Sequence, residues 1–126
     1  MNGAPSFSGA ARLAGIMGWP VKHSRSPRLH GAWLKTYGID GVYVPLPVAP
    51  ENLGAALKAL PMLGFAGVNL TVPHKETALR FMDEVTAAAK RIGAVNTVTV
   101  LPNGGLRGDN TDCFGFIANV EASLPE

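Results

Sequence analysis

The chain has 126 residues, of which 47% are apolar, 16% charged and 7% aromatic, with a net charge of +2. That suits one domain with a packed core and excludes a disordered chain. It also excludes nucleic-acid binding through a basic stripe, since no basic cluster is longer than Lys90-Arg91, and no apolar run reaches the length that crosses a membrane. A slight basic excess is weakly suited to a small anionic ligand.

Cys113 is the single cysteine, so no disulfide framework can form within the chain, and no Cys/His cluster has zinc spacing. We expect a reducing compartment, the cytoplasm. Cys113 reads as a small buried filler rather than a nucleophile. The N-terminus has no charged segment before an apolar core, so no secretory signal is read there.

In chain order, Met1 to Ala11 is small and polar. Leu13 to Met17 reads as a short strand, closed by Gly18 and Pro20. The loop Trp19 to Ser26 carries Lys22, His23, Ser24, Arg25 and Ser26. Ser26-Pro27 then opens a helix, with the serine as N-cap and the proline at the first helical position. Leu29, Trp33 and Tyr37 recur at helical spacing, and Gly38 ends the run. We expect Trp33 in the core.

Gly41 to Val48 is extended, and its two prolines make it an edge strand. Pro50 to Leu60 is an amphipathic helix with Leu53, Leu57 and Leu60 on one face, stopped by Pro61 and Gly64. Phe65 to Leu70 is an apolar strand. Pro73 ends the extended run and suits the first turn of a helix, and Thr77 to Met82 continues in helical composition.

After a break, Thr86 caps a helix to Ile92, with Lys90 and Arg91 in its last turn and Gly93 terminating it. Ala94 to Leu101 is β-rich. Pro102-Asn103-Gly104-Gly105 turns the chain into a return strand from Leu106 to Gly108, which makes a hairpin. Phe114 to Leu124 reads as a final helix. Strands alternating with helices predict an α/β fold in three layers: a mostly parallel but mixed sheet, helices on both faces, and an antiparallel hairpin near the C-terminal end.

Four polar loops fall at element ends: His23 to Ser26, Asn69 to Lys75, Val95-Asn96-Thr97, and Asn110-Thr111-Asp112. Each alone has an ordinary explanation as caps or turn residues, and Lys75 alone reads more readily as a solvated surface lysine. Together they offer hydroxyls, amides, one ammonium and one carboxylate, with no metal-binding set. That mixture suits a polyhydroxylated, carboxylated small molecule. A lysine paired with an aspartate can exchange a proton with a substrate oxygen. A Ser24-His23-Asp112 triad is disfavoured, because adjacent side chains rarely face each other. No G-x-G-x-x-G and no P-loop is present.

The loops also carry a resemblance. Gly18-Trp19-Pro20-Val21-Lys22-His23-Ser24-Arg25-Ser26-Pro27-Arg28-Leu29-His30 resembles the first signature of shikimate dehydrogenases. Gly67-Val68-Asn69-Leu70-Thr71-Val72-Pro73-His74-Lys75 is similar to the second. Gly93-Ala94-Val95-Asn96-Thr97 is similar to the third, and Gly108-Asp109-Asn110-Thr111-Asp112 with Gly115 to the fourth. The order and gaps also fit, from about Leu13 to Leu124.

The resemblance implies NADPH-dependent reduction of 3-dehydroshikimate to shikimate, in the route to aromatic amino acids. It implies that Ser24 and Ser26 bind the substrate carboxylate, and that Asn69, Thr71, Asn96 and Asp112 hold the ring hydroxyls. Lys75 would be the acid/base residue, with Asp112 beside it. The chain departs from the pattern at Gly31, usually asparagine, and at Ala87, often acidic near the cofactor cleft. Residues 1–112 would be the substrate-binding domain and 113–126 a linker helix toward an NADP-binding Rossmann-type domain that this chain does not include. The family's C-terminal segment, which returns to cover the substrate domain, is also not in this chain.

Three functions compete: the substrate half of a shikimate dehydrogenase, a quinate/shikimate dehydrogenase, and a stand-alone binder of shikimate-like acids that catalyses nothing. The expected partner is a small-molecule substrate, with neither nucleic acid nor membrane; a homodimer is open.

Overall fold

The computed structural model describes residues 7–111. A six-stranded sheet is built from β1 (Arg12–Gly18), β2 (Gly41–Pro47), β3 (Phe65–Leu70), β4 (Glu84–Val85), β5 (Thr97–Val100) and β6 (Leu106–Asp109). The strand order is β2-β1-β3-β5-β6-β4. β1 pairs in parallel with β2 and β3, and β4 in parallel with β6; β5 runs antiparallel to both β3 and β6. The expected mixed, mostly parallel sheet with a late hairpin is therefore what forms.

Two helices cover opposite faces of the parallel part. α1 (Ser26–Thr36) connects β1 to β2, and α2 (Leu53–Met62) connects β2 to β3. β2 and β3 lie on opposite sides of β1, so two right-handed crossovers place their helices on opposite faces. On the α2 face, Leu53, Leu57 and Leu60 pack with Met17, Val68, Leu70 and Val98 in the main core. Side chains alternate along each strand, so Ala14, Ile16, Tyr43, Asn69 and Thr97 belong to the α1 face. A third helix, α3 (Ala87–Ile92), is capped as expected: the Thr86 side chain accepts from the Ala89 N–H, and Gly93 takes the left-handed conformation at φ 80°.

Several expectations need correction. Ser26 is not the cap of α1 but its first residue; Arg25 occupies the cap position without a side-chain bond, and Ser24 Oγ accepts the Ser26 N–H at 3.2 Å. The serine that accepts a backbone N–H at the start of α1 is thus Ser24, two residues earlier. Trp33 is not core: it is 50% exposed, and no residue of α1 is buried. Its helical spacing is real, but the face it marks lines an open groove over the sheet.

Residues Thr77–Phe81 form a 3-10 helix rather than an α-helix. The segment is pinned before and after, by Val95 N–H to the Lys75 carbonyl and by Asp83 N–H to the Leu106 carbonyl. The longer rise per residue of a 3-10 helix spans that gap with few residues. α2 begins later than expected, after a short 3-10 turn at Pro50–Asn52, and runs one residue past Pro61. The two-residue strand β4 has no counterpart in the sequence reading. The proposed final helix, Cys113 and Asp112 lie outside the described residues.

Candidate functional site

Because β6 runs parallel to β1 and β3 while β5 runs the other way, one edge of the sheet collects the ends of β1, β2, β3 and β6 and the start of β5. Every candidate residue that is described lies at this edge. Ser24 and Ser26 follow β1, Asn69 and Thr71 close β3, Lys75 follows on the next turn, and Asn96 precedes β5.

Backbone bonds lock these loops together. Thr71 N–H donates to the Met17 carbonyl at 3.0 Å, Trp19 N–H to Val72 at 3.1 Å and Val48 N–H to Gly18 at 3.0 Å. Gly18 sits in the middle of this junction, where a Cβ would collide with the Thr71 and Val21 side chains. The Lys75 turn is held on two further sides. Its carbonyl accepts the Val95 N–H at 2.7 Å. The neighbouring His74, fully buried, donates through Nε2 to the Val48 carbonyl at 2.7 Å. A buried imidazole bonded to a carbonyl anchors the turn, while Lys75 itself is only half-buried.

Asn96 is the polar hub. It is buried, and its Oδ1 accepts from Thr97 Oγ1 at 2.9 Å, from Thr111 N–H at 3.0 Å and from Thr111 Oγ1 at 3.3 Å. The Thr111 backbone N–H can only donate, which defines which end of the amide is the oxygen. The Thr111 bonds set the course of the chain immediately before Asp112. Nearby, Asn110 Nδ2 donates to the Ala94 carbonyl at 3.1 Å, and Asp109 Oδ1 accepts from Thr86 Oγ1 at 2.7 Å.

Asn69 extends the network to the other side. Its Nδ2 donates to Thr97 Oγ1 at 3.3 Å and to the Asn96 carbonyl at 3.5 Å, and its Oδ1 accepts the Tyr43 phenol O–H at 2.8 Å. Burial pushes the Tyr43 pKa up to about 12. A continuous polar line therefore runs Tyr43–Asn69–Thr97–Asn96–Thr111. Sequence reasoning named Asn69 and Asn96 but missed Tyr43, Thr97 and Thr111 as parts of it. Thr97 and Thr111 lay inside quoted signatures. Tyr43 had only one signal, a polar aromatic in an edge strand.

An apolar groove of about 850 Å³ lies on the α1 face, between Trp33, Leu34, Tyr37 and Val42. It meets the polar line only at Tyr43, Asn69 and Thr97, so it adjoins the candidate site without containing it. Among the described residues no group of His, Cys, Asp and Glu could hold a metal ion, and no helix is long and apolar enough to cross a membrane.

An open α/β sheet with polar loops gathered outside the carboxyl ends of its central parallel strands is a small-molecule-binding architecture. Residues 16–98 match the family described as shikimate dehydrogenase substrate binding domain, and the chain belongs to that family. A shikimate dehydrogenase (NADP(+)) of Rhodospirillum rubrum is 63% identical over 120 residues, which is 95% of this chain and 42% of the relative. The chain thus spans less than half the length of that protein. A Thermus thermophilus shikimate 5-dehydrogenase crystallised with NADP(H) and shikimate superposes with a TM-score of 0.84 at 42% identity, over 90% of this chain and 43% of that one. A 5-ketofructose reductase from a Gluconobacter strain superposes with a TM-score of 0.88 at 29% identity, over 93% of this chain and 42% of that one.

Proposed function

We propose that this chain is the substrate-binding half of an NADP-dependent shikimate dehydrogenase, reducing 3-dehydroshikimate to shikimate. Residues 1–112 form the substrate domain, and 113–126 lead toward a dinucleotide-binding domain. The observation that carries the reading is the meeting, at one sheet edge, of the Ser24/Ser26 loop, the Asn69–Lys75 turn, Asn96 and the segment entering Asp112.

Ser24 and Ser26 supply hydroxyls to the substrate carboxylate. Asn69, Thr71, Asn96 and Asp112 hold the ring hydroxyls. Lys75 is the acid/base residue: as the ketone carbon is reduced, charge develops on its oxygen, and the ammonium stabilises that charge and delivers the proton. Asp112 orients Lys75. The described residues do not fit NADP, since the turns after β1 and β3 carry Trp19, Val21, Val72 and Pro73 where a pyrophosphate cradle needs bare glycine backbone. The hydride therefore comes from a cofactor held elsewhere, and this chain binds, orients and moves the proton.

Binding to the native state alone raises stability by mass action, about 2.7 kcal/mol at one hundred times Kd. Millimolar shikimate is expected to raise the melting temperature of the 126-residue chain. A cooperative transition that shikimate leaves unmoved contradicts the substrate assignment. Quinate in parallel separates the quinate/shikimate reading: protection by both acids supports it, and protection by shikimate alone excludes it.

A further inference from the structure

Tyr43 lies in the edge strand β2, outside all four signature stretches. In the sheet register it faces Ala14 of β1, and Ala14 faces Gly67 of β3. β2 and β3 are thus two strand spacings apart, roughly 10 Å. The small residues Ala14 and Gly67 leave room for the ring to lie across β1 and reach Asn69, two residues beyond Gly67. The ring is held flat by His30 of α1, stacked at 4.2 Å between centroids and 9° between planes.

The phenol then joins the polar line from across β1. It donates to Asn69 Oδ1 at 2.8 Å. The other end of the Asn69 amide faces the Asn96 carbonyl, which can only accept, so Nδ2 belongs there and Oδ1 belongs at the phenol. Without the phenol O–H, Asn69 Oδ1 loses this donor and the amide loses one of the three contacts that fix its plane.

We propose that Tyr43 is a positioning residue of the substrate cradle, fixing the Asn69 carboxamide from across strand β1. This rests on the substrate reading proposed above. Tyr43 need not touch the substrate; it acts through Asn69, on the side of the cradle that holds the ring hydroxyls. Burial keeps the phenol protonated well above neutral pH, so its donor role holds throughout the physiological range.

The test is a double-mutant cycle on shikimate binding by the 126-residue chain, read by calorimetry. Tyr43→Phe keeps the ring and its stack on His30, and removes only the hydroxyl. The expected result is a Kd about 3–10-fold weaker, the size of one hydrogen bond's net contribution, with a cooperative unfolding transition retained. In an Asn69→Ala background the same change is expected to weaken binding by less than twofold, because the residue it acts through is gone. Wild-type binding with an unchanged Tyr43→Phe Kd, or with Tyr43→Phe and Asn69→Ala effects that multiply, overturns the inference and leaves the substrate reading standing. Failure of the wild type to bind shikimate overturns the substrate reading, and the role given to Tyr43 falls with it.

Discussion

The Val95 N–H donates to the Lys75 carbonyl at 2.7 Å, which fixes the Lys75 turn against the residue that precedes Asn96. Leu70 N–H donates to the Asn96 carbonyl at 2.8 Å on the other side of the same junction. The second and third signature stretches therefore form one unit. Their separation in sequence reflects the detour through the Thr77–Phe81 3-10 helix, β4 and α3. A lysine proposed to move a proton and an asparagine proposed to hold a hydroxyl are set by shared backbone bonds, not by side-chain packing alone.

Asn96 is the first residue to test within that unit. Asn96→Ala removes an oxygen that serves three donors, including the Thr111 N–H. A buried donor left without a partner costs about 1–3 kcal/mol. The variant is expected to unfold at lower urea with an unchanged slope, and to lose shikimate protection. Wild-type stability in the urea midpoint would show that the hub carries no structural weight.

Two glycines give opposite expectations. A Cβ on Gly67 would run into the Val98 carbonyl oxygen of the paired strand, whereas one on Gly31, within α1, would meet nothing within 4 Å. Gly67→Ala is expected to destabilise by about 1–3 kcal/mol, as overpacking does. Gly31→Ala is expected to stabilise by about 0.4–1 kcal/mol, by restricting the unfolded chain. Thermal unfolding of both variants checks the pair, and equal shifts in the same direction would contradict it.

Tyr43 predicts an alkaline limit. Its folded pKa is raised from 10.0 to about 12, chiefly by burial, so above pH 10 the folded state holds a proton that the unfolded state releases. That contribution to stability is complete below pH 10 and is lost as pH rises through about 12. Lysines titrate in the same range, so the expected observation is a difference: wild type loses stability more steeply than Tyr43→Phe across this window. Parallel curves for the two proteins would mean the phenol is not buried as described.

Much of this fold can be read before the structure is known, where one local rule acts alone. Leu53, Leu57 and Leu60 share a helical face and are buried together. Thr86 and Gly93 bracket α3 by capping chemistry. Sequence misled where a pattern depends on what lies opposite. Trp33 has core spacing, yet no residue of α1 is buried and Trp33 lines an open groove. β4 is two residues long and exists only because β6 runs beside it. The candidate loops were legible as polar residues at element ends, and topology brings the described ones to one edge. The link through Tyr43 was not legible, because it requires the register of three strands and the small residues between them.

The central claim, that Lys75 moves the proton, is tested most directly by Lys75→Ala in this chain joined to an NADP-binding domain. If the ammonium acts chiefly when the substrate oxygen becomes negative, kcat should fall by about 10²–10⁴-fold. KM should change far less, and shikimate should still protect the variant against heat. A variant that keeps near-normal kcat, or loses activity only through KM, would contradict the account and leave Lys75 as a residue that holds the substrate without reacting with it.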